Sequence, residues 1–429
     1  MELLHKAKTE YKGIRGLGFT DALVHLFCFI SVLFIGADKW GINVGVNFRL
    51  DQVFLLIFTA LLIVKNRYRL TSNYSLVAFL IFSLISVFTA FNLLRGALFY
   101  FSIIYNVFFL FYAFENYVRF YGMDKFISIL RKTLYLQFVI LLIQYALKVG
   151  LKYELSFLPA YGEYMGIPRF NLWFYEPSYM ATYLSFWLAL SAYKLFICGQ
   201  ASYIKDVMIN VVMLIISTST AGFIAIALVL ALVYVMWLAK GVSKKKVIIL
   251  LIIVVAIAGF CVVFSDLVEV FIGRLFGGDL DGASGGRIQG WSETFEIFLQ
   301  KPLFGVGPGN YGLFVYNDAE IVPTNVTLEL MATLGIFSTI AFYSLTYLLI
   351  KKARKLNKKL QTKQSKTLVA IAFALLIFTI ILQFNQGYLR LYHWLILGVL
   401  SGGIKELKSK AFCQIKEKQN TNLLRSKNV

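Results

Sequence analysis

Long apolar runs separated by short polar segments recur along the whole chain. A helix that crosses about 30 Å of hydrocarbon at 1.5 Å per residue needs about 20 apolar residues, and most of these runs approach that length. The seventh run is short, which leaves open whether the seventh and eighth runs form one bent helix. The pattern predicts about twelve transmembrane helices: Thr20–Ile35, Leu50–Val64, Tyr74–Leu94, Ala97–Tyr117, Thr133–Val149, Tyr179–Ile197, Val207–Ser217, Gly222–Ala239, Val247–Phe264, Val326–Ile350, Leu368–Phe384 and Tyr392–Ile404.

Composition places the chain in one broad class. Hydrophobic residues make up 59% of the 429 residues and charged residues 15%, with a mean hydropathy of +0.73. A soluble domain is nearer about half apolar and about a quarter charged. The sequence therefore predicts an all-α polytopic membrane protein in which residues 1–429 form a single integral membrane domain.

The basic residues predict how the helices are oriented. With the amino terminus in the cytoplasm, 32 of the 42 Lys and Arg residues fall on the cytoplasmic side, including a basic tail at residues 405–429. The positive-inside rule then places both termini in the cytoplasm. The net charge of +20 follows from this topology and from contact with anionic lipid. Nucleic-acid binding is disfavoured, because the basic loops are short and rich in Lys.

Cysteine and histidine are too sparse for a disulfide framework or a metal site. The four cysteines show no CxxC spacing, and the three histidines are dispersed along the chain. The sequence therefore predicts neither a zinc site nor a set of disulfides.

Two loops on the expected outer face, residues 150–176 and 265–325, keep arginine where the positive-inside bias otherwise depletes it. The first loop ends in Arg169 and Glu176, at the start of an apolar run. Ionisable groups placed against lipid cost several kcal/mol, so a chain that keeps them there usually uses them. This loop predicts recognition of an anionic, phosphate-bearing substrate at the membrane surface.

The second loop contains a predicted helix that begins at Arg287 and ends before Pro302. An apolar stripe at helical spacing predicts that this helix lies flat against the protein or the lipid interface. A glycine-rich turn over residues 305–310 predicts close approach of the backbone to a neighbour. The segment before the helix, residues 276–286, has five glycines and predicts a mobile gate rather than a calcium loop. The stripe consists of Ile288, Trp291, Phe295 and Phe298.

Two further polar groups fall at the same expected level of the membrane. The hydroxyl-rich segment 217–222 joins the seventh and eighth runs, and either helix capping or a functional role accounts for it. Asn325 and Glu329 open the tenth run at i, i+4 spacing, which places them on one helix face. For Glu329 a functional role and a structural ion pair both remain open.

These motifs, in this order, resemble the O-antigen polymerase and ligase superfamily, which includes the Wzy polymerases, the WaaL ligases and related exopolysaccharide polymerases. The resemblance covers roughly residues 167–350. It rests on Arg169 with Glu176-Pro177-Ser178, the hairpin Ser217–Gly222, Arg287 with Trp291 and Pro302–Gly307, and Asn325 with Glu329 through Gly335.

The resemblance implies a GT-C-like membrane glycosyltransferase that needs no metal and no cofactor. Such an enzyme moves a glycan from undecaprenyl diphosphate to the sugar terminus of an acceptor, at the outer face of the bacterial inner membrane. Arg169 and Arg287 take the role of holding the donor diphosphate, because guanidinium offers bidentate donors to phosphate. A structural ion pair with Glu176 is the alternative role for Arg169.

Two departures from the superfamily favour a polymerase over a ligase. Thr324 stands where ligases usually carry a histidine, and Thr220 stands where the hairpin often carries an arginine. Without that histidine as general base, Glu176 becomes the leading catalytic candidate. Glu329 and His393 are the other catalytic candidates, and Ser219, Asn325 and Arg390 are expected in supporting roles.

Three functions therefore follow from the sequence, in order of preference. The first is polymerisation of lipid-linked repeat units, the second is an O-antigen ligase of the same fold, and the third is a polysaccharide translocase or transporter. Transporters tend to show internal repeats, which this chain lacks. The expected partners are undecaprenyl-diphosphate-linked glycans, membrane lipids, a chain-length regulator and a flippase. Whether the product is O-antigen, capsule or exopolysaccharide stays open.

Overall fold

A computed structural model describes residues 18–43, 47–164, 167–241, 243, 248, 259, 287–318, 321–385 and 387–426. Helices dominate these residues, with two short antiparallel hairpins, β1 Gly41–Asn43 with β2 Asn47–Arg49 and β3 Glu163–Tyr164 with β4 Ile167–Pro168. The helices are α1 Phe19–Leu33, α2 Leu50–Val64, α3 Tyr74–Phe88, α4 Leu93–Tyr121, α5 Met123–Gly150, α6 Pro177–Ile197, α7 Ile204–Ile216, α8 Thr220–Leu238, α9 Arg287–Gln300, α10 Tyr311–Tyr316, α11 Val326–Leu360, α12 Lys363–Phe384 and α13 Leu391–Ser426.

Six of these helices, namely α4, α5, α6, α8, α11 and α12, are long and apolar enough to cross a membrane. The helices α1, α2 and α3 are apolar but shorter. The predicted class, a mostly helical polytopic membrane protein, is confirmed at this level. The count of twelve spans and the GT-C-like architecture stay predictions, and the ninth run, Val247–Phe264, lies almost wholly outside the described residues.

The third apolar run is shorter than its hydrophobic pattern predicts. The helix α3 ends at Phe88, and α4 begins at Leu93 rather than at Ala97. The side chain of Asn92 caps α4, since its Oδ1 accepts a hydrogen bond from the Arg95 amide at 3.0 Å. Apolar residues continue through the turn between the helices, so hydropathy alone does not reveal it.

The seventh and eighth runs form two separate helices, α7 and α8. The chain breaks between them at Ser217, and Thr218 adopts a left-handed φ of 46°. The Ser217 hydroxyl donates to the Leu214 carbonyl at 2.6 Å. Such side-chain bonds compete with helix continuation and favour a turn.

The predicted helix of the second loop is confirmed as α9. Its buried face differs from the predicted stripe, because Thr294 and Ile297 are buried whereas Phe295 is 45% exposed. Phe295 and Phe298 instead contact each other, with ring centroids 5.9 Å apart. The helix packs against α11 through the Thr294 and Ile297 side.

A break in α11 receives the glycine-rich turn that follows α9. Gly335 has φ 77° and ψ 178°, so the helical hydrogen bonds stop there. The carbonyls of Ala332 and Thr333 accept instead from the amides of Val306 at 2.9 Å and Gly307 at 3.0 Å. A Cβ at Gly335 would lie 2.1 Å from a backbone oxygen of the loop. The close backbone approach predicted for residues 305–310 is therefore present.

Two glycines allow α13 to contact α4 along its middle. A Cβ at Gly398 would lie 2.4 Å from the Phe111 carbonyl oxygen, and one at Gly402 would lie 2.5 Å from the Glu115 carbonyl oxygen. This GxxxG spacing is the pattern by which small residues bring membrane helices together.

Successive helices alternate in direction, so the connections gather at two ends of the bundle. One end, called here the Arg390 end, carries residues 34–43, 47–49, 151–164, 167–176, 217–219, 385 and 387–390. The opposite end, called the Lys405 end, carries the connections 65–73 and 198–203 and residues around Lys405. The predicted outer-face candidates Arg169, Glu176 and Arg390 all lie at the Arg390 end, whereas the basic tail predicted at residues 405–429 continues α13 as helix through Ser426.

Candidate functional site

The hairpin β3–β4 fixes the position of Arg169. Its amide donates to the Gly162 carbonyl at 2.9 Å, and its carbonyl accepts from the Tyr161 amide at 2.9 Å. These bonds hold Arg169 against the segment that carries Tyr161, and the guanidinium carbon lies 5.3 Å from the centre of the Tyr161 ring. A cation in this position is attracted by the ring face.

The chain after Arg169 is held by Lys39, which lies in the connection between α1 and α2. Its ammonium donates to the Pro159 carbonyl at 2.8 Å, to Asn171 Oδ1 at 3.0 Å and to the Leu172 carbonyl at 3.3 Å. Burial lowers the pKa of Lys39 to about 8. The lysine thus acts as an anchor that fixes the first loop against the bundle.

Glu176 occupies the N-cap position of α6, directly before Pro177 at the first helical position. Its Oε2 accepts a hydrogen bond from the Ser178 hydroxyl at 2.9 Å. Burial raises the pKa of Tyr161, and the negative charge of the neighbouring Glu176 carboxylate raises it further. A partly exposed carboxylate with two hydroxyl neighbours is placed to accept a proton from a third.

Arg390 lies beside the start of α6, in front of α13. Its guanidinium carbon is 3.6 Å from the centre of the buried Tyr179 ring, and its Nη1 is 3.1 Å from Asp38 Oδ2. Asp38 also pairs with Arg49, whose Nε is 3.4 Å from Asp51 Oδ1. Burial acts to lower the pKa of Arg390, but Tyr179 and Asp38 raise it above its usual range. The guanidinium therefore stays charged in a largely buried position.

Glu329 supports the turn that carries Arg390. Its carboxyl group is buried, and Oε2 accepts a hydrogen bond from the Gly387 amide at 3.1 Å. The predicted supporting residue Asn325 caps α11, since its Oδ1 accepts from the Leu328 amide at 3.0 Å. Its Nδ2 donates to the Gln383 carbonyl at 3.0 Å. Both residues thus fix the backbone around the site.

His393 lies one helical turn further inside the bundle than Arg390. Its ring stacks on Phe342 with centroids 5.0 Å apart, and Phe378 lies 5.5 Å away. The side chain is fully buried, and neither ring nitrogen has a hydrogen-bond partner within the described part of the chain. The structure therefore separates His393 from the loop residues, and its predicted catalytic role stays a prediction.

The hairpin with Ser219 supports α6 from the side. Ser219 is buried, and its carbonyl accepts from the Gly222 amide at 2.9 Å. Gly222 packs on Ala181 of α6, because a Cβ at Gly222 would lie 3.4 Å from the Ala181 Cβ. Ser219 occupies the N-cap position of α8, but its side chain makes no capping hydrogen bond, so both predicted accounts of this hairpin stay open.

The second loop contributes a contact at the position where ligases carry histidine. Trp291 of α9 donates its indole N–H to Thr324 Oγ1 at 3.2 Å, and its ring lies 6.4 Å from that of Phe384. Arg287 is the first residue of α9, but its side chain lies outside the described part of the structure. The predicted gate at residues 276–286 also lies outside the described residues.

The structure thus brings Arg169, Glu176 and Arg390 together around the start of α6, with Glu329 behind Arg390. Sequence reasoning did not identify the partners that hold these groups. The sequence did contain a signal for these partners between the first two apolar runs. Lys39 and Arg49 are basic residues on the side of the membrane that the positive-inside bias depletes. Those partners are Asp38, Lys39, Arg49, Asp51 and Tyr161.

Comparison with known families concerns the part of the chain that carries Ser219, Asn325 and Glu329. Residues 207–343 match the family model described as O-antigen ligase. The resemblance to the O-antigen polymerase and ligase superfamily is confirmed. The matched segment contains Ser219, Arg287, Asn325 and Glu329. It indicates a membrane enzyme of the ligase or polymerase type. A search of curated proteins found no similar sequence.

Proposed function

We propose that the protein polymerises undecaprenyl-diphosphate-linked oligosaccharide repeat units at the outer face of the bacterial inner membrane. The observation that carries the proposal is the convergence of Arg169, Glu176 and Arg390 on the first turn of α6. Two guanidinium groups and a carboxylate in one region match a reaction in which a hydroxyl attacks and a diphosphate leaves.

In the proposed reaction, a hydroxyl oxygen of the acceptor sugar forms a bond to the anomeric carbon of the donor. The bond between that carbon and the diphosphate oxygen breaks, and undecaprenyl diphosphate leaves with the electron pair. Glu176 accepts the proton of the attacking hydroxyl. Arg169 and Arg287 bind the diphosphate, and Arg390 adds a fixed positive charge near the developing negative charge.

The contact between Trp291 and Thr324 supports polymerase rather than ligase activity. A ligase histidine at this position would serve as the base, whereas the Thr324 hydroxyl is engaged by an indole donor. A threonine hydroxyl does not accept a proton at neutral pH, so the base must lie elsewhere. Glu176 is the carboxylate of the cluster that has exposed surface.

The test is elongation by the purified protein in lipid vesicles that contain undecaprenyl-diphosphate-linked repeat units. We expect a ladder of carrier-linked products with several units, and we expect Glu176→Gln to abolish it while the protein stays folded. The amide keeps the shape of the side chain but takes no proton. Product length is read by gel electrophoresis after mild acid release from the carrier.

Two other outcomes would reject the proposal. Transfer of preformed glycan to lipid A–core, without new carrier-linked lengths, identifies a ligase. Movement of lipid-linked units across the vesicle bilayer, without any new glycosidic bond, identifies a translocase. A ladder in Glu176→Gln equal to that of the parent protein would remove Glu176 as the base and direct attention to Glu329 or His393.

A further inference from the structure

The candidate site is bordered by tyrosine rings that remain in contact with the surroundings. Tyr175 is 57% exposed and Tyr161 is 42% exposed. Tyr175 directly precedes Glu176 in the chain, and the Tyr161 phenol interacts with the Glu176 carboxylate. Both exposed rings therefore belong to the segments that carry Glu176 and Arg169, and the two phenols interact with each other.

Tyr175 forms the outer member of a layered stack. Its ring lies nearly parallel to that of Tyr179, at an interplanar angle of 26° with centroids 6.4 Å apart. Arg390 contacts the Tyr179 ring at 3.6 Å. The Tyr175 carbonyl accepts from Asn171 Nδ2 at 3.0 Å, which fixes the backbone below the ring. The stack is thus held by groups on both sides.

Tyr161 likewise contacts charged groups of the site. The Arg169 guanidinium lies 5.3 Å from the centre of its ring, and its phenol interacts with the Glu176 carboxylate. Each exposed ring is therefore adjacent to a charged or hydroxyl group. Binding sites for small molecules combine apolar contact area with a few placed polar groups that fix orientation.

We propose that Tyr161 and Tyr175 form a sugar-binding platform that holds the ring of the acceptor glycan next to Glu176. A sugar ring presents C–H groups on its faces and hydroxyls at its edge. The tyrosine rings offer rigid, amphipathic area to the faces at low conformational cost. Glu176, Ser178 and Arg169 offer hydrogen-bonding groups to the edge.

A membrane-interface belt is the competing role for exposed tyrosines. Such a belt needs only the phenol at the lipid headgroups and no placed charge beside the ring. Tyr153 provides the comparison, because it lies in the same loop and is 60% exposed. Within the described part of the chain, the Tyr153 ring contacts neither Arg169 nor Glu176.

The inference rests on the proposed function for the identity of the glycan, but its test does not need turnover. The probe is the repeat-unit oligosaccharide released by mild acid from the lipid carrier of the same cells. Its dissociation constant for the purified protein in nanodiscs is measured by calorimetry, for the parent and for Tyr175→Ala, Tyr161→Ala, Tyr175→Phe and Tyr153→Ala. We expect each alanine variant at 161 and 175 to weaken binding by about tenfold, with Tyr175→Phe and Tyr153→Ala close to the parent.

An unchanged dissociation constant in both Tyr161→Ala and Tyr175→Ala would overturn the platform. Equal loss in Tyr153→Ala would also overturn it, since that pattern belongs to a general interface anchor. Tyr175→Phe guards against misfolding, because it keeps the ring and its packing. Glycan binding that depends on Tyr175 in a protein that forms no ladder would support the platform and reject the polymerase. A normal ladder from the parent protein, together with unchanged glycan binding in the alanine variants, would support the polymerase and reject the platform.

Discussion

The two ends of the helix bundle each bury a carboxylate with basic partners, but they complete its hydrogen bonds differently. At the Lys405 end, Glu115 accepts from the Thr71 hydroxyl at 2.7 Å, the Ser401 hydroxyl at 2.5 Å and the Lys405 ammonium at 2.6 Å. Both carboxylate oxygens are thus engaged by groups from separate elements. This arrangement ties α4, α13 and the connection between α2 and α3 together.

At the Arg390 end, one carboxylate is instead shared between two cations. Asp38 divides its carboxylate between Arg49 and Arg390. A guanidinium has five N–H donors, which is more than Asp38 and the Tyr179 ring together require. The buried Tyr392 hydroxyl nearby has no hydrogen-bond partner within the described residues. The comparison teaches that the Lys405 end joins helices through one fully engaged carboxylate, whereas the Arg390 end shares one carboxylate between two guanidinium groups, which fits the fixed positive charge proposed for Arg390.

The largest expected effect tests the structural end. Glu115→Ala removes the acceptor of three groups and leaves Lys405 without its carboxylate. Loss of one partner from a buried pair costs about 3–5 kcal/mol, so the free energy of unfolding should fall by that amount. Thermal unfolding in detergent measures the loss. Activity per folded molecule should stay at the parent level. A fall in activity per folded molecule would contradict a purely structural role for Glu115.

The next effect tests the Arg390 end. Arg390→Lys keeps the positive charge but loses the planar fork, so we expect elongation to fall about 100-fold while the protein stays folded. The reciprocal replacement Lys405→Arg at the other end is the matched control and should retain activity. Chain length from lipid-linked units is the measurement. Long polymer from Arg390→Lys would show that the donors of Arg390 are not used.

Arg169→Lys should produce a smaller loss. Arg169 is partly exposed, and the loss of one charged hydrogen bond corresponds to about tenfold in rate. We expect the KM for the lipid-linked donor to rise more than kcat falls, because the guanidinium contacts the diphosphate already in the bound donor. Steady-state kinetics at varied donor concentration separates the two. A fall in kcat alone would assign Arg169 to holding Glu176 instead.

The smallest effect concerns Thr324. Thr324→Val removes the acceptor of the Trp291 indole, which costs about 1 kcal/mol of stability. The length distribution of the product should stay unchanged, because the hydroxyl is not proposed to move a proton. Gel profiles of the carrier-linked ladder provide the check. Loss of the ladder would show that this position keeps a catalytic role without histidine.

Local patterns predicted the helices and the start of α6, because those features depend on neighbouring residues. The pair of Asp38 and Arg390 joins positions 352 residues apart, and no local pattern reports such a contact. His393 was expected beside Arg390, but Arg390 precedes α13 whereas His393 lies in its first turn, where Phe342 and Phe378 enclose its ring. In α9, periodicity did not identify the buried face, because Phe295 and Leu299 on the exposed side are apolar as well.

The break at Gly335 joins α11 to the turn that follows α9. The turn after α9 is bonded to the carbonyls of Ala332 and Thr333, one turn beyond Glu329. Helix α9, which begins with Arg287, is therefore attached through this turn to the first half of α11. A displacement of α9 would therefore reach Glu329 and, through the Gly387 amide, the turn of Arg390. Helix α9 and the turn of Arg390 are thus connected through backbone hydrogen bonds and the Glu329 carboxylate.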